Sequence, residues 1–171
     1  MKKLTDRELL NYMMDVSREV ADIEDLDELL DYVMGEVFHL TEATAGYIVL
    51  VEDDGQLDFQ LMQDSDGNDL ENDADLISTT LLSQVVNSGE PLVLRDAMRD
   101  ERFAQAMSVQ NLQIRSIMCL PLISRNRVIG AIYIENRTLD GRFDQDDLPV
   151  MEVFASQVAM AIERAALNWR D

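Results

Sequence analysis

The chain contains few of the residues from which catalytic, redox and metal sites are usually built. Its 171 residues include one cysteine (Cys119) and one histidine (His39). A single cysteine cannot form an internal disulfide, and one histidine with one cysteine falls short of the ligands that zinc needs. The sequence also has no glycine-rich phosphate loop and no recognisable acid–base pair. It therefore predicts a protein that is not an enzyme and that has no metal and no cofactor.

Basic residues and long apolar runs are also scarce. The chain has 14 Lys and Arg against 34 Asp and Glu, for a formal charge of −20. Such a surface repels phosphates, so we expect no direct nucleic acid partner and no membrane partner. No apolar run approaches the roughly 18 residues that span a bilayer, and no signal-peptide pattern opens the chain. With one cysteine, these features predict a soluble, cytoplasmic protein.

The apolar residues that are present, 47% of the chain, are enough for the core of one domain. Their spacing and the turn residues between them predict a series of helices and strands. Helices are predicted over residues 9–23, 26–40, 76–86 and 144–169, and strands over residues 44–51, 56–62, 91–94, 117–123 and 128–134. Residues 95–112 are predicted to be irregular to helical. This order predicts an α+β fold with an antiparallel sheet.

Several short motifs follow one another in an order that resembles the GAF domain family, a sensory and regulatory module of bacterial signalling proteins. The strand motif SIMCLPL at residues 116–122 precedes VIGAIY at residues 128–133. Upstream lie G-E-P at residues 89–91, D-A at residues 96–97 and D-E-R-F at residues 100–103. The resemblance implies a central antiparallel sheet, with N- and C-terminal helices on one face and a helix/loop lid on the other. It implies a single domain over residues 1–171, in which an N-terminal helix (1–24) precedes the core (25–166) and a C-terminal helix (144–169) leads toward an output domain.

The resemblance also implies where a small molecule would bind, between the sheet and residues 95–113. The ligand would be a cyclic nucleotide or another metabolite, and the positions implied are Asp96, Phe103 and Ser116. In addition, Met98, Met107 and Met118 could line an adaptable apolar pocket, since Met fills irregular gaps. Asp96 could accept hydrogen bonds from a purine edge, and Phe103 could stack on a ring. Alternatively, Asp96 caps a helical turn, while Phe103 and the methionines only fill the core.

A remnant of a second motif follows the last strand. Some GAF domains of cyclic-nucleotide phosphodiesterases carry N-K and then F-x-x-x-D-E, where this chain has Asn136-Arg137, Phe143 and Asp147. Arg137 replaces the lysine, and Leu148 stands where the final glutamate would be. We predict that Arg137 and Asp147 form a structural ion pair that fixes the loop to the helix start, and that they do not determine nucleotide specificity.

The C-terminal helix has more apolar surface than one sheet needs. A heptad seam from Leu148 to Trp169 runs beside a second apolar line at Val153, Met160 and Leu167. We predict a homodimer whose interface comprises Leu9, Met13, Val16, Val20, Met151, Val158, Ile162 and Trp169. The alternative is that the first helix packs on the last helix of its own chain.

These observations predict a non-catalytic sensory domain that binds a small molecule, dimerises, or does both. It would control a histidine kinase, a cyclase or phosphodiesterase, or a transcription activator. A second hypothesis is a dimerisation scaffold that binds no ligand. A third is an enzyme of the methionine-sulfoxide-reductase type, which needs more redox cysteines than the one present.

Overall fold

Two amphipathic helices open the chain, and side chains fix where each begins. The computed structural model describes residues 3–70, 76–100, 114–138 and 143–170, without the side chains of 76–78 and 167–170. Helix α1 (Asp6–Asp22) starts at Thr5, whose hydroxyl accepts the Glu8 amide in a capping box. Helix α2 (Leu26–Leu40) starts at Asp25, whose carboxylate accepts the Glu28 amide. Each cap satisfies a backbone donor that the helix leaves free, and this separates the two helices.

The remaining elements form a sheet and the helices that cover it. In chain order they are β1 (Ala45–Val51), β2 (Leu57–Asp64), α3 (Leu76–Ser88), β3 (Leu92–Leu94), β4 (Ser116–Ser124), β5 (Arg127–Asn136) and α4 (Leu148–Arg170). A short 3₁₀ turn (Gln145–Asp147) precedes α4. The strands lie in the order β2-β1-β5-β4-β3, and every neighbouring pair is antiparallel. The polar residues Arg125 and Asn126 form the turn of the β4–β5 hairpin, and both have positive φ.

The sheet is buried on both sides, and strand alternation divides its side chains between two cores. We call the side covered by α1, α2 and α4 the helical face; Met118, Leu120, Ile132 and Ile134 pack there. We call the side covered by α3 the lid face; Ile117, Cys119, Ala131 and Tyr133 pack there with Leu81 and Leu82. This arrangement confirms the predicted α+β architecture. Within the described residues, no helix is long and apolar enough to cross a membrane.

Two glycines provide a matched test of this packing. A Cβ on Gly130, in β5, would lie 2.2 Å from the Val49 carbonyl oxygen of the neighbouring strand, whereas one on Gly35, in the interior of α2, would meet nothing within 4 Å. Gly130→Ala should therefore destabilise the protein by about 1–3 kcal/mol. Gly35→Ala should stabilise it by about 0.5–1 kcal/mol, because alanine is the better helix former. Urea unfolding of both variants measures this, and equal effects at the two positions would contradict the predicted strand contact.

Candidate functional site

The lid face carries a pair of stacked tyrosines at the centre of the sheet. Tyr47 in β1 and Tyr133 in β5 are register partners. Their ring centroids are 5.1 Å apart with 14° between the planes, and both side chains are buried. Phe59 in β2 approaches Tyr47 edge-on, with 6.4 Å between centroids. Such contacts hold the rings in fixed positions, and each buried tyrosine brings a hydroxyl group into an otherwise apolar layer.

A buried carboxylate lies next to this pair. Glu135 follows Tyr133 by two residues and therefore shares its face of β5. Its side chain is 0% exposed. One carboxylate oxygen accepts the Tyr133 hydroxyl at 3.2 Å, and the other accepts a close hydrogen bond from Nε of Arg137. This group forms a polar cluster of Tyr47, Tyr133, Glu135 and Arg137, which we call the lid-face cluster.

The electrostatics of the cluster favour the charged ion pair. The Arg137 side chain is 35% exposed. Its partial burial disfavours the charged guanidinium, but the Glu135 carboxylate more than offsets this, so the pKa of Arg137 is raised. A buried ion pair is not a strong source of stability, since desolvation consumes most of the attraction. Charged groups held at this cost inside a buried face of a sheet are candidates for a functional site.

The segment after β3 reaches the same end of the sheet. The Ala97 amide donates to the Arg115 carbonyl at 2.5 Å, and the Arg115 amide donates to the Asn136 carbonyl at 2.9 Å. Asp96 therefore lies at the sheet end to which Glu135 and Arg137 belong. One Asp96 oxygen accepts the Met98 amide at 3.2 Å, so the carboxylate caps a turn, as the structural alternative predicts. Its other oxygen is 3.4 Å from Nε of Arg99 in an ion pair and makes no hydrogen bond among the described residues.

Two other positions of the predicted ligand set lie on the opposite face. Met118 packs in the core of the helical face, and alternation places Ser116 on the same side. Both are fully buried, and within the described structure the Ser116 hydroxyl has no hydrogen-bond partner. The structure therefore does not bring them together with Asp96 under the lid. Phe103 and Met107 lie outside the described residues.

The residues of the predicted Arg137–Asp147 ion pair have other partners. Arg137 pairs with Glu135. The Asp147 carboxylate accepts the Asp144 amide at 3.0 Å, in a capping box that begins the 3₁₀ turn before α4. The expected pair is thus replaced by two local contacts. Glu135 is the nearer carboxylate to Arg137, because it lies two residues away on the same face of the strand.

Most of the predicted dimer interface is buried within one chain. Met13, Val16 and Val20 of α1 share a core with α4, and Leu9 packs against that core half-buried. Met151, Val158 and Ile162 are buried in the same cluster, while the Trp169 side chain lies outside the described residues. In this arrangement the seam is covered by the chain's own α1, as the intramolecular alternative predicts.

Cys119 lies on the lid face opposite Tyr133 in the sheet register. It is fully buried, and burial raises the pKa of its thiol, which keeps it protonated and unreactive. Over the described ranges, no group of three or more His, Cys, Asp or Glu side chains could hold a metal ion. The chemistry available on this face is hydrogen bonding, aromatic stacking and ion pairing.

Of the lid-face cluster, Arg137 was singled out from the sequence, as a partner of Asp147, whereas Tyr47, Tyr133 and Glu135 were not. The signal of the cluster is the run Tyr133-Ile134-Glu135-Asn136, in which a glutamate continues an apolar strand. Two-residue alternation would have placed Tyr133 and Glu135 together, on the same side as Cys119. A charged residue inside a strand that is buried on both faces is the feature that indicates a site.

Comparison with known proteins agrees with the fold. The family model described as "GAF domain" matches residues 25–162. A probable 3',5'-cyclic phosphodiesterase, pde-5, of Caenorhabditis elegans is 28% identical over 173 residues, which cover 94% of this chain and 24% of that protein. The hybrid signal transduction histidine kinase G of Dictyostelium discoideum is 25% identical over 88 residues, covering 52% of this chain and 3% of the kinase.

Two solved structures resemble the whole chain. A GAF domain of a phosphoenolpyruvate-protein phosphotransferase from Coxiella burnetii superposes with a TM-score of 0.69 at 17% identity, covering 95% of this chain and 97% of that one. A free methionine-R-sulfoxide reductase from Neisseria meningitidis, in complex with its substrate, gives 0.71 at 17% identity, covering 98% and 96%. At this identity the likeness shows the fold alone. The chain spans about a quarter of the phosphodiesterase and a few per cent of the kinase.

A double-mutant cycle tests the lid-face cluster. Arg137→Met leaves the Glu135 carboxylate buried without its cation and should cost about 1–3 kcal/mol, a range reduced for the partial exposure of Arg137. Adding Glu135→Gln removes the unpaired buried charge. The double variant should therefore lose less free energy of unfolding than the two single variants lose together. Urea unfolding measures each free energy.

Arg95→Met is the matched control for that cycle. Arg95 pairs with Asp144 at 3.9 Å, and both side chains are largely exposed. Its loss should change the free energy of unfolding by less than about 0.5 kcal/mol. Additive effects of the Glu135 and Arg137 substitutions would contradict the pairing.

Proposed function

The chain belongs to the GAF domain family, and on that basis we propose that it is a sensory module that binds a small molecule on its lid face. Its relatives in a phosphodiesterase and a histidine kinase support a sensory or regulatory role. The chain would control an output domain of such a signalling protein, and we assign it no catalytic step. Ligand binding, dimerisation and the output domain are the parts of this proposal that experiments must test.

The lid-face cluster is the observation that carries the proposal. A core that only had to pack would gain nothing from the buried charge of Glu135. Tyr47 and Tyr133 offer an aromatic stack, while Glu135 and Arg137 offer an acceptor and a donor. Together these groups suit a planar, polar molecule such as a nucleotide base or another metabolite with both donors and acceptors. Asp96, at the same end of the sheet, supplies a further carboxylate.

The same end of the sheet supplies a route from the ligand to α4. Asn136 follows Glu135, and its amide group donates to the Glu42 carbonyl at the end of α2. Arg95, next to Asp96, pairs with Asp144 just before α4. A ligand that moves the Glu135–Arg137 end of β5 would therefore bias the position of the helical layer. It can do so only to the extent that it binds the two arrangements with different affinity.

We place the proposed homodimer contact on the apolar side chains that the fold leaves exposed. Among the side chains that the structure describes, five large apolar ones are exposed; Leu10 and Met14 lie on α1, and Val153 and Met160 lie on α4. Spacings of four and seven residues place each pair on one helix face. Two exposed apolar stripes on the helical layer are what favour dimerisation, and they also keep the ligand-free dimerisation scaffold as the second candidate function.

A ligand screen separates the sensor from the scaffold. Cyclic nucleotides, free nucleobases and amino acids would each be added in excess, and the melting temperature of the chain measured. A ligand at about 100 times its Kd adds roughly 2.7 kcal/mol of stability, which raises the melting temperature by several degrees. Tyr133→Phe, which removes the hydroxyl at the cluster and keeps the ring, should reduce the shift.

Tyr32→Phe is the control for that screen. Tyr32 lies on α2, and the substitution removes one hydroxyl far from the lid face. It should leave any ligand-induced shift unchanged. Equal loss of the shift in the two variants would place the ligand elsewhere, and no shift with any compound class would favour the scaffold.

Light scattering coupled to size-exclusion chromatography tests the dimer. At micromolar concentration the chain should elute at twice its 19.5 kDa mass. Met160→Glu puts a charge into the proposed contact and should weaken association at least about tenfold, since burying an unpaired charge is costly. Ile123→Glu, at an exposed apolar residue of β4, should leave the dimer intact. A monomeric mass for the unmodified chain would refute the proposed dimer.

A further inference from the structure

Helix α1 buries few side chains against the rest of the domain. It ends at Asp22, before residue 25 where the match to the family model begins. Three of its side chains are buried (Met13, Val16 and Val20), against six on α2. Elements with little buried apolar surface are the ones that open locally while the rest stays folded. Each polar contact of α1 therefore contributes a large share of the free energy that keeps this helix docked.

The C-terminal end of α1 lacks the charges that normally stabilise a helix end. Its last turn has no basic residue. Its last residue, Asp22, is an exposed acid, and so are Glu24 and Asp25, which follow the helix. The carbonyl end of a helix carries partial negative charge, so acidic neighbours weaken it and a cation strengthens it.

Arg164 of α4 provides the missing cation. Its Nη2 donates to the Val20 carbonyl at 2.8 Å, across 144 residues of sequence. The same carbonyl accepts the Ile23 amide at 3.4 Å, the longer of the two contacts. A charge-assisted hydrogen bond to a helix C-terminus is stronger than a neutral one. Arg164 thus stabilises the C-terminus of α1, and the same hydrogen bond joins α1 to α4.

The residue before Arg164 ties α4 to the sheet. Glu163 forms an ion pair with Arg125 of the β4–β5 turn, with 3.8 Å between Nε and the carboxylate oxygen. Two consecutive positions of α4 therefore contact α1 on one side and the β4–β5 hairpin on the other. The hairpin contributes Tyr133 and Glu135 to the lid face, so a shift of its strands would reach α4 beside the residue that holds α1.

We propose that the contact between Arg164 and the Val20 carbonyl is a releasable latch, which holds α1 against α4 and lets α1 detach while the rest of the domain stays folded. Release exposes Met13, Val16 and Val20. Pairing of chains through these three residues would require a released α1, whereas the dimer contact proposed above uses the exposed face of the docked helix. The latch is a property of the helical layer and operates whether or not a ligand binds the lid face.

Hydrogen exchange followed by mass spectrometry tests the latch in the intact chain. In the unmodified protein, backbone amides of α1 should exchange faster than those of α2, because α1 opens separately. Arg164→Gln should speed exchange in α1 by about threefold to fivefold, the factor that one favourable charge at a helix end provides. Exchange in α2 should stay unchanged, and Arg164→Lys should give an intermediate rate.

Arg18→Gln is the matched control. Arg18 is exposed on α1, pairs with Asp15 at 3.6 Å, and its loss changes the net charge by the same amount. This variant should exchange like the unmodified chain. Equal rates in α1 and α2 of the unmodified protein would overturn the proposal. So would an Arg164→Gln variant whose α1 is as protected as before, or whose α1 and α2 loosen together.

Discussion

Burial of the sheet on both faces is the constraint on which the rest of the structure depends. Every β5 residue from Gly130 to Asn136 is buried, because helices cover each side. With a side-chain period of two, a slip of one residue would move Ile132 and Ile134 under the lid and turn Glu135 into the helical layer. Close approach of Gly130 to the Val49 carbonyl admits no side chain, so the pairing of β5 with β1 is also fixed by sterics.

This register places the buried charge of Glu135 at one end of the sheet. Glu135 lies at the end of β5, where the strand leaves the sheet and Arg137 is already partly exposed. Its backbone carbonyl accepts the Thr44 amide at 2.8 Å, and Asn136 binds the Glu42 carbonyl. One end of the sheet thus joins the lid-face cluster to the connection between α2 and β1. The residues that we propose bind a ligand are therefore hydrogen-bonded to the segment that follows α2.

The fold was predictable from the sequence, whereas the site was only partly so. Apolar periodicity and turn residues such as Asn126 report local geometry, and local geometry was sufficient to place the strands and helices. The pattern also separated Met118 from Cys119 correctly, but alternation does not say which face receives the lid. Ser116 and Met118 were consequently assigned to the ligand, although the helical layer covers Met118. Arg137 was predicted to pair with Asp147, although its partner is Glu135. Glu135 was overlooked because it continues an apolar strand in the sequence and has no motif of its own.

The surplus apolar surface of α4 shows the same limit at the level of whole helices. The periodicity of the sequence indicates that an apolar stripe of α4 must be buried. It does not indicate whether the helix that buries this stripe belongs to the same chain. Here Met13, Val16 and Val20 of α1 cover the heptad seam, while Val153 and Met160 of the second apolar line stay exposed. A second chain could cover the seam with the same kinds of side chain. If a second chain covered the seam instead, the hydrogen bond from Arg164 to the Val20 carbonyl would be lost, so this polar contact favours the arrangement within one chain. In the proposed release α1 would leave this layer, while Met151 and Val158 of α4 would stay packed on the sheet.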